Sequence, residues 1–225
     1  MSDYSSNAFN IWSHLISAAL FSISVVHFTR THAISFGADE FIIFLYFTAA
    51  ISCFTFSTIY HTSVSYHPAS TWHRIDHLGI TAIIWASSIS FIHFSFAYQQ
   101  TMRQTYIALI TISAICSMIR LWKSPLDQLG YRTAIFTAFG GLATLPAAHL
   151  TYQTYRQSTT EVQSRLLRSF WSLVGINGMG GLVYVADLLQ FMGKEASHNA
   201  MHVTAAIGAW IYRQGLISTY QLRKP

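Results

Sequence analysis

Charge is scarce in this sequence. Its 225 residues include 13 Lys or Arg and 8 Asp or Glu, so that 9% are charged, whereas about a quarter of an ordinary soluble domain is. A soluble enzyme or a disordered chain needs a far more solvated surface, and both are excluded. The net charge is +5, but the basic residues are scattered through short connections. They form no run or patch, which excludes a nucleic-acid binder. Cysteine is nearly absent: Cys53 and Cys116 are the only two, each inside an apolar stretch, so no disulfide framework is implied. No Asn-x-Ser/Thr acceptor occurs to mark a glycosylated face. No basic segment precedes the first apolar stretch, which is itself as long as a full span. A cleaved signal peptide is therefore not expected.

What the chain has instead is long apolar sequence. Hydrophobic residues make up 52% and aromatic residues 15%. They fall into seven uncharged windows: 4–29, 41–73, 77–102, 104–119, 133–155, 169–186 and 196–212. A helix rising about 1.5 Å per residue crosses about 30 Å of hydrocarbon with roughly 17–25 residues. Six windows reach that length, and the shortest, 104–119, can borrow Arg120, whose aliphatic stem snorkels to the interface. The short alternating strands of a membrane barrel are not present.

The reading is an all-α integral membrane protein, a seven-transmembrane-helix bundle. Its spans lie near 10–29, 41–61, 75–98, 104–121, 133–152, 169–189 and 197–213. They form one domain over 10–213, between a short N-terminal tail (1–9) and a short C-terminal tail (214–225). Lys123-Ser124-Pro125 reads as a turn, because proline lacks an amide donor and disfavours helix in the residue before it. Pro146 predicts a kink inside the fifth span, which a membrane helix tolerates where neighbours satisfy the freed carbonyl. Gly140-Gly141 and Gly175, Gly178, Gly180 and Gly181 are expected to let helices five and six approach other backbones closely. With seven spans, the loops on the N-terminal side hold five basic residues, counting Arg120, and the other side holds eight, three of them in the tail. That count leans toward a cytosolic C-terminus.

Ionisable groups inside a membrane need a partner or a use. Asn10 and His14 open the first span, Ser57 and His61 end the second, Asp76 opens the third, and His198 and His202 open the seventh. Each same-helix pair is spaced i, i+4 and so shares a helix face. Odd-numbered spans begin, and even-numbered spans end, on the N-terminal side of the membrane. All of these residues therefore lie at similar depth in one leaflet and can converge.

Three imidazoles with a carboxylate nearby suit Zn²⁺, and three protein ligands that leave one position for water is the catalytic pattern. In that arrangement Asp76 takes a proton from the water, and Ser57 hydrogen-bonds the water or orients a ligand. His73 and His77 form another i, i+4 pair and compete as ligands, although His73 is expected in the loop and His77 on a different helix face from Asp76. His67, His27 and His32 read as loop or interface residues, and His93 and His149 as interfacial or helix-contact residues of the opposite leaflet. Asp187 reads as an interfacial acid within reach of the polar cluster. The aromatic residues are expected mostly at the lipid surface and in the interface belts.

Ser57-Thr58-Ile59-Tyr60-His61, His73-Arg74-Ile75-Asp76-His77-Leu78-Gly79-Ile80 and Ser197-His198-Asn199-Ala200-Met201-His202 together resemble the progestin and adiponectin receptor family, which includes the bacterial hemolysin III-like proteins. Asn10-Ile11-Trp12-Ser13-His14 matches that family's first-span signature. Gly141-Leu142 through Leu145-Pro146 to His149 looks like its fifth span, and Gly181-Leu182-Val183-Tyr184 with Gly193-Lys194 like the region before its last helix. The resemblance covers Asn10 to about Tyr212. It implies one Zn²⁺ held by His61, His198 and His202 near the cytosolic face, with Asp76 beside it and the N-terminal side cytosolic. It also implies a lipid-accessible cavity and hydrolysis of a ceramide-like amide to sphingoid base and fatty acid, with influence on lipid and zinc homeostasis. The chain departs from the family pattern at Asn7, where an acid is usual, in the short stretch between Ala186 and Ser197, and in having only nine residues before Asn10.

Three functions follow as expectations. The first is a zinc-dependent, ceramidase-type amidohydrolase with Asp76 and Ser57 in the catalytic role. The second is a ligand-sensing receptor in which zinc only holds helices together. A zinc transporter ranks third, because three imidazole ligands favour retention over passage. The expected partner is a membrane lipid or sphingolipid-like ligand, and the membrane, plasma or endomembrane, is not distinguished.

Overall fold

The computed structural model describes residues 2–32, 36–63, 69–125, 128–156, 159–188 and 194–224. These form α1 (Ser2–Thr31), α2 (Ala38–Ser63), α3 (Ala69–Ser95), α4 (Gln100–Lys123), α5 (Leu129–Ala143), α6 (Leu145–Arg156), α7 (Glu161–Leu188) and α8 (Lys194–Arg223). Among the described residues there is no strand. Five segments are long and apolar enough to cross a membrane: Ala8–Thr31, Ala38–Ser63, Thr71–Ser95, Gln100–Lys123 and Gly130–Arg156. The last of these joins α5 and α6. α7 and α8 are long but more polar, and α8 runs on to Arg223, ten residues beyond the span end expected at 213.

The break between α5 and α6 falls at Thr144, two residues before Pro146. There the Thr144 amide and hydroxyl both donate to the Gly141 carbonyl, at 3.2 and 2.7 Å. The break leaves Pro146 in the first turn of α6, where a missing amide hydrogen costs no helical bond. The expected kink is present, displaced to the point where the chain can close one helix before opening the next.

Side chains are sorted for lipid rather than water. Phe9, Trp12, Ile16 and Ile23 of α1 and Ile112, Ile115 and Ile119 of α4 face outward. Inside, Phe21, Tyr46, Phe47, Phe54, Phe91, Phe94, Phe96, Tyr212 and Tyr220 fill the core. Several hydroxyls of α3 are satisfied within the helix. Ser87 and Ser88 donate to the carbonyls of Ile83 and Ile84, at 2.7 and 2.9 Å, as a hydroxyl must where no water is available. Tyr212 of α8 donates to the Ser87 carbonyl at 2.9 Å, and Tyr46 of α2 donates to the Ala209 carbonyl at 2.7 Å.

Two close approaches shape the bundle. A Cβ on Gly79 would stand 2.9 Å from the Cys53 Cα, so α3 lies against the backbone of α2. Along α7 and α8, Gly180 faces Thr204 and Met201, Gly208 faces Leu173 and Asn177, and Gly215 faces Ser169, a seam of small residues of the kind that joins membrane helices. The expectation that many glycines of spans five and six serve this purpose is corrected: around Gly140, Gly141, Gly175, Gly178 and Gly181 a Cβ would meet nothing. Gly180 alone of that set is used, because only it lies on the α8-facing side of α7.

At the end of the bundle opposite the conserved-depth polar residues, the start of α2 is clasped to the end of α8. Glu40, buried, accepts from the Tyr220 hydroxyl at 2.5 Å, the Gly37 amide at 2.9 Å and Lys224 Nζ at 2.9 Å. Its neighbour Asp39 pairs with His93 Nε2 of α3 at 2.7 Å and with Arg223 at 3.4 Å. His93 and His149 are thus helix-contact residues as expected, the latter held by the Tyr106 hydroxyl at 2.8 Å.

Two substitutions test this packing by thermal unfolding in detergent. Gly79→Ala drives a methyl into the α2 backbone and should cost about 1–3 kcal/mol, the range for overpacking. Glu40→Ala leaves the buried Tyr220 hydroxyl without its acceptor and should cost a similar amount, about 1–3 kcal/mol. An unchanged melting temperature in either variant would show that the contact carries no stability.

Candidate metal centre

The last turns of α2 carry Ser57 and His61, and the first turns of α8 carry His198 and His202. Both pairs are spaced to share a face, and α2 and α8 run antiparallel, so the two faces meet. The three Nε2 atoms converge: His202 to His198 is 3.1 Å, His61 to His202 is 3.2 Å, and His198 to His61 is 3.4 Å. His61 and His202 are buried and His198 is half-buried. A neutral imidazole carries one N–H and one lone pair. Three Nε2 atoms facing one another cannot all be satisfied with the protons available, whereas a cation between them would take a lone pair from each. The three lie close enough to share one metal ion.

Asp76 is not one of the converging donors. Its carboxylate accepts a hydrogen bond from the Ser57 hydroxyl, and Ser57 is itself buried one helical turn before His61. The close seating of Gly79 on Cys53 brings this part of α3 against α2, and the carboxylate hydrogen-bonds α2 at Ser57, one helical turn before His61. Behind the site, α1 contributes His14, whose ring lies 4.0 Å from that of His202, centroid to centroid.

The other histidines go elsewhere. His73 lies in α3, not in the preceding loop as expected, because α3 begins at Ala69. Its ring stacks on Tyr60 at 4.8 Å. The His77 ring stacks on Phe136 of α5 at 5.5 Å, and its Nδ1 donates to the His73 carbonyl at 2.5 Å. Neither joins the triad, and the His77 ring, expected on a different helix face from Asp76, packs on α5. His67 lies outside the described residues. Asp187 falls within α7, but its side chain lies outside what the structure describes.

Sequence reasoning missed two neighbours of the site. Arg132, counted only as a loop charge, is buried at the start of α5 and acts electrostatically on Tyr60, His73 and His77. Tyr184 of α7 brings its ring to 6.3 Å from that of His198. The signal for Arg132 was available, since the N-terminal end of span five lies in the same leaflet as the histidines.

Residues 3–213 match the Haemolysin-III related family. The chain belongs to that family. The resemblance read from the motifs is therefore correct, and the match takes in every helix named above except the last turns of α8. Among its relatives, the adiponectin receptor protein of Drosophila melanogaster is 24% identical over 92% of this chain and 49% of its own length. The ADIPOR-like receptor IZH2 of Saccharomyces cerevisiae is 26% identical over 95% of this chain and 71% of its own. Progestin and adipoQ receptor-like protein 1 of Caenorhabditis elegans is 25% identical over 92% of this chain and 50% of its own. The chain thus spans about half the length of the fly and worm relatives. Its apolar helices and its family together make this Haemolysin-III related chain an integral membrane protein.

The convergence of the three Nε2 atoms predicts the metal content of variants. Elemental analysis of detergent-purified protein should find about one divalent metal per chain, the stoichiometry of a single three-histidine site. His61→Ala and His202→Ala should each reduce it to near zero, while His73→Ala should leave it unchanged. Equal loss in His73→Ala would move the site to α3.

Proposed function

We propose that this protein is a zinc-dependent intramembrane hydrolase of a ceramide-like lipid amide. The observation that carries the proposal is the three-imidazole cluster, with a separate carboxylate, Asp76, held by Ser57 one turn of α2 before His61. The fit to zinc can be tested on distances. Tetrahedral Zn²⁺ with nitrogen at about 2.0–2.1 Å separates its ligand nitrogens by about 3.3 Å, and the three separations here are 3.1, 3.2 and 3.4 Å. His61, His198 and His202 would hold the ion, and three protein ligands leave a position for chemistry. When bound, Zn²⁺ supplies Lewis acidity, polarising a carbonyl oxygen and making a water molecule acidic near neutral pH.

The chain's own residues supply the rest. Asp76 takes a proton from the attacking water as its oxygen bonds to the amide carbon. It then gives that proton to the nitrogen as the C–N bond breaks, releasing fatty acid and sphingoid base. Ser57 donates to Asp76 and keeps the carboxylate aimed at the site. Because α2 and α8 present these groups within the bundle, the substrate arrives from the bilayer, which favours a lipid over a soluble amide. In this reading α7 and α8 complete seven spans with α1–α4 and the α5–α6 pair, and the N-terminal side is cytosolic.

The names of the relatives favour a second reading. The fly and yeast relatives are called receptors and the worm relative receptor-like, which suits a ligand-sensing protein in which the metal joins α2 to α8 and turnover is absent. Asp76 separates the two. Zinc-loaded protein given long-chain ceramide should release free fatty acid, and Asp76→Ala should lose about 10²–10⁴-fold in rate, the usual worth of a general acid and base, while retaining its zinc. Full turnover by Asp76→Ala would remove the catalytic assignment. No release from zinc-loaded wild type would leave the receptor reading in its place.

A further inference from the structure

Four buried polar atoms without a side-chain hydrogen-bond partner lie at His202 and on the α1 face whose His14 packs against it: Oδ1 of Asn10, both ring nitrogens of His14, and Nδ1 of His202 itself. They do not belong to the converging triad, whose contacts are made through Nε2. An imidazole that gives its Nε2 lone pair to a cation carries its proton on Nδ1 and needs an acceptor there, and ligand histidines almost always have one. Nothing on α8 supplies it. α1 brings the nearest candidates. Asn10 and His14 are 4% and 6% exposed, share a face one turn apart, and His14 is packed on the His202 ring at 4.0 Å. The His14 ring also reaches the His202 backbone, which occupies one of its two nitrogens at most.

Simple packing does not account for this pair. The His14 ring meets Phe54 edge-on at 5.0 Å, a contact that leucine or phenylalanine would make without burying two nitrogens. Buried polar atoms in native proteins are seldom left unsatisfied, and a polar recess with two to four such atoms is where an ordered water is held. We infer that Asn10 and His14 are positioning residues of the metal centre, holding a buried water that accepts the Nδ1–H of His202 and so keeps Nε2 turned toward the ion. The water donates onward to Asn10 Oδ1 and to one His14 nitrogen, while the other His14 nitrogen has the His202 backbone within reach. α1 thereby joins α2 and α8 in building a site to which it contributes no ligand. The inference rests on His202 being a metal ligand.

The test uses the full chain in detergent, with Zn²⁺ affinity measured against a chromophoric chelator and site geometry read from the visible bands of the Co²⁺-loaded protein. Asn10→Ala and His14→Phe, the latter keeping a ring of similar size, should each weaken Zn²⁺ binding about 10–100-fold, the usual effect of losing such a supporting partner. Both should also alter the Co²⁺ spectrum. His14→Gln, which restores a hydrogen-bonding group, should recover much of the affinity, and Ser13→Ala should change neither readout. If wild type binds Zn²⁺ and both Asn10→Ala and His14→Phe bind it as tightly with the same spectrum, this inference is overturned and the metal centre stands. If His14→Gln is as weak as His14→Phe, a hydrogen-bonding group at position 14 is not what supports the site and the inference again fails. A wild-type chain that takes up no Zn²⁺ overturns the metal reading and this inference with it.

Discussion

The seating of α8 against α2 governs the rest of the molecule, because the two helices carry all three converging imidazoles and neither can form the cluster alone. Their antiparallel register is pinned at three heights. Tyr220 and Lys224 hold Glu40 at one end, the Tyr46 hydroxyl meets the Ala209 carbonyl midway, and His61 meets His198 and His202 at the other. From Glu40 to His61 is about 30 Å of helix. A shift of α8 by one residue would rotate both histidines by about 100° and move Tyr212 and Tyr220 off their partners at the same time. The polar bonds far from the site are therefore part of what keeps its nitrogens together.

That register needs lateral support, and hydrophobic burial cannot supply it between helices already surrounded by hydrocarbon. The structure uses close backbone contact instead. Gly180, Gly208 and Gly215 let α7 lie along α8, and Gly79 lets α3 lie along α2. Each half of the site is thus braced by one glycine-mediated neighbour, with α3 also delivering Asp76. α4, α5 and α6 stand further out, with Pro146 tolerated because the break at Thr144 closes α5 before the proline is reached.

Much of this was legible in the chain. The uncharged windows located the helices, since a charge inside hydrocarbon is expensive enough to mark nearly every span boundary. Counting spans placed Ser57, His61, Asp76, His198 and His202 in one leaflet, because depth follows from parity alone. Rotation about each helix axis does not follow from parity. The separation of His77 from the triad could be argued only from its adjacency to Asp76, and nothing revealed which of six glycines in spans five and six would face a neighbour. Arg132 was misjudged for a related reason. A charge at a span end reads as solvated until the bundle is assembled, and only then is Arg132 found buried and acting electrostatically on Tyr60, His73 and His77. His73 was misplaced because α3 begins at Ala69, before its apolar window is well under way.

The division of labour between Asp76 and the histidines bears on which function the site can support. A metal that serves only as a pin is usually closed by four protein ligands. Here the carboxylate stands off, occupied by the Ser57 hydroxyl, and the converging group stops at three. Leaving an acid unliganded at such a place costs desolvation with no coordination bond in return, a cost that structural binding gives no reason to accept. Proton transfer does give one, since a base must stay free to gain and lose a proton, which a ligand cannot do. The unliganded carboxylate of Asp76, held by Ser57, is on this account the feature that suits turnover better than tethering.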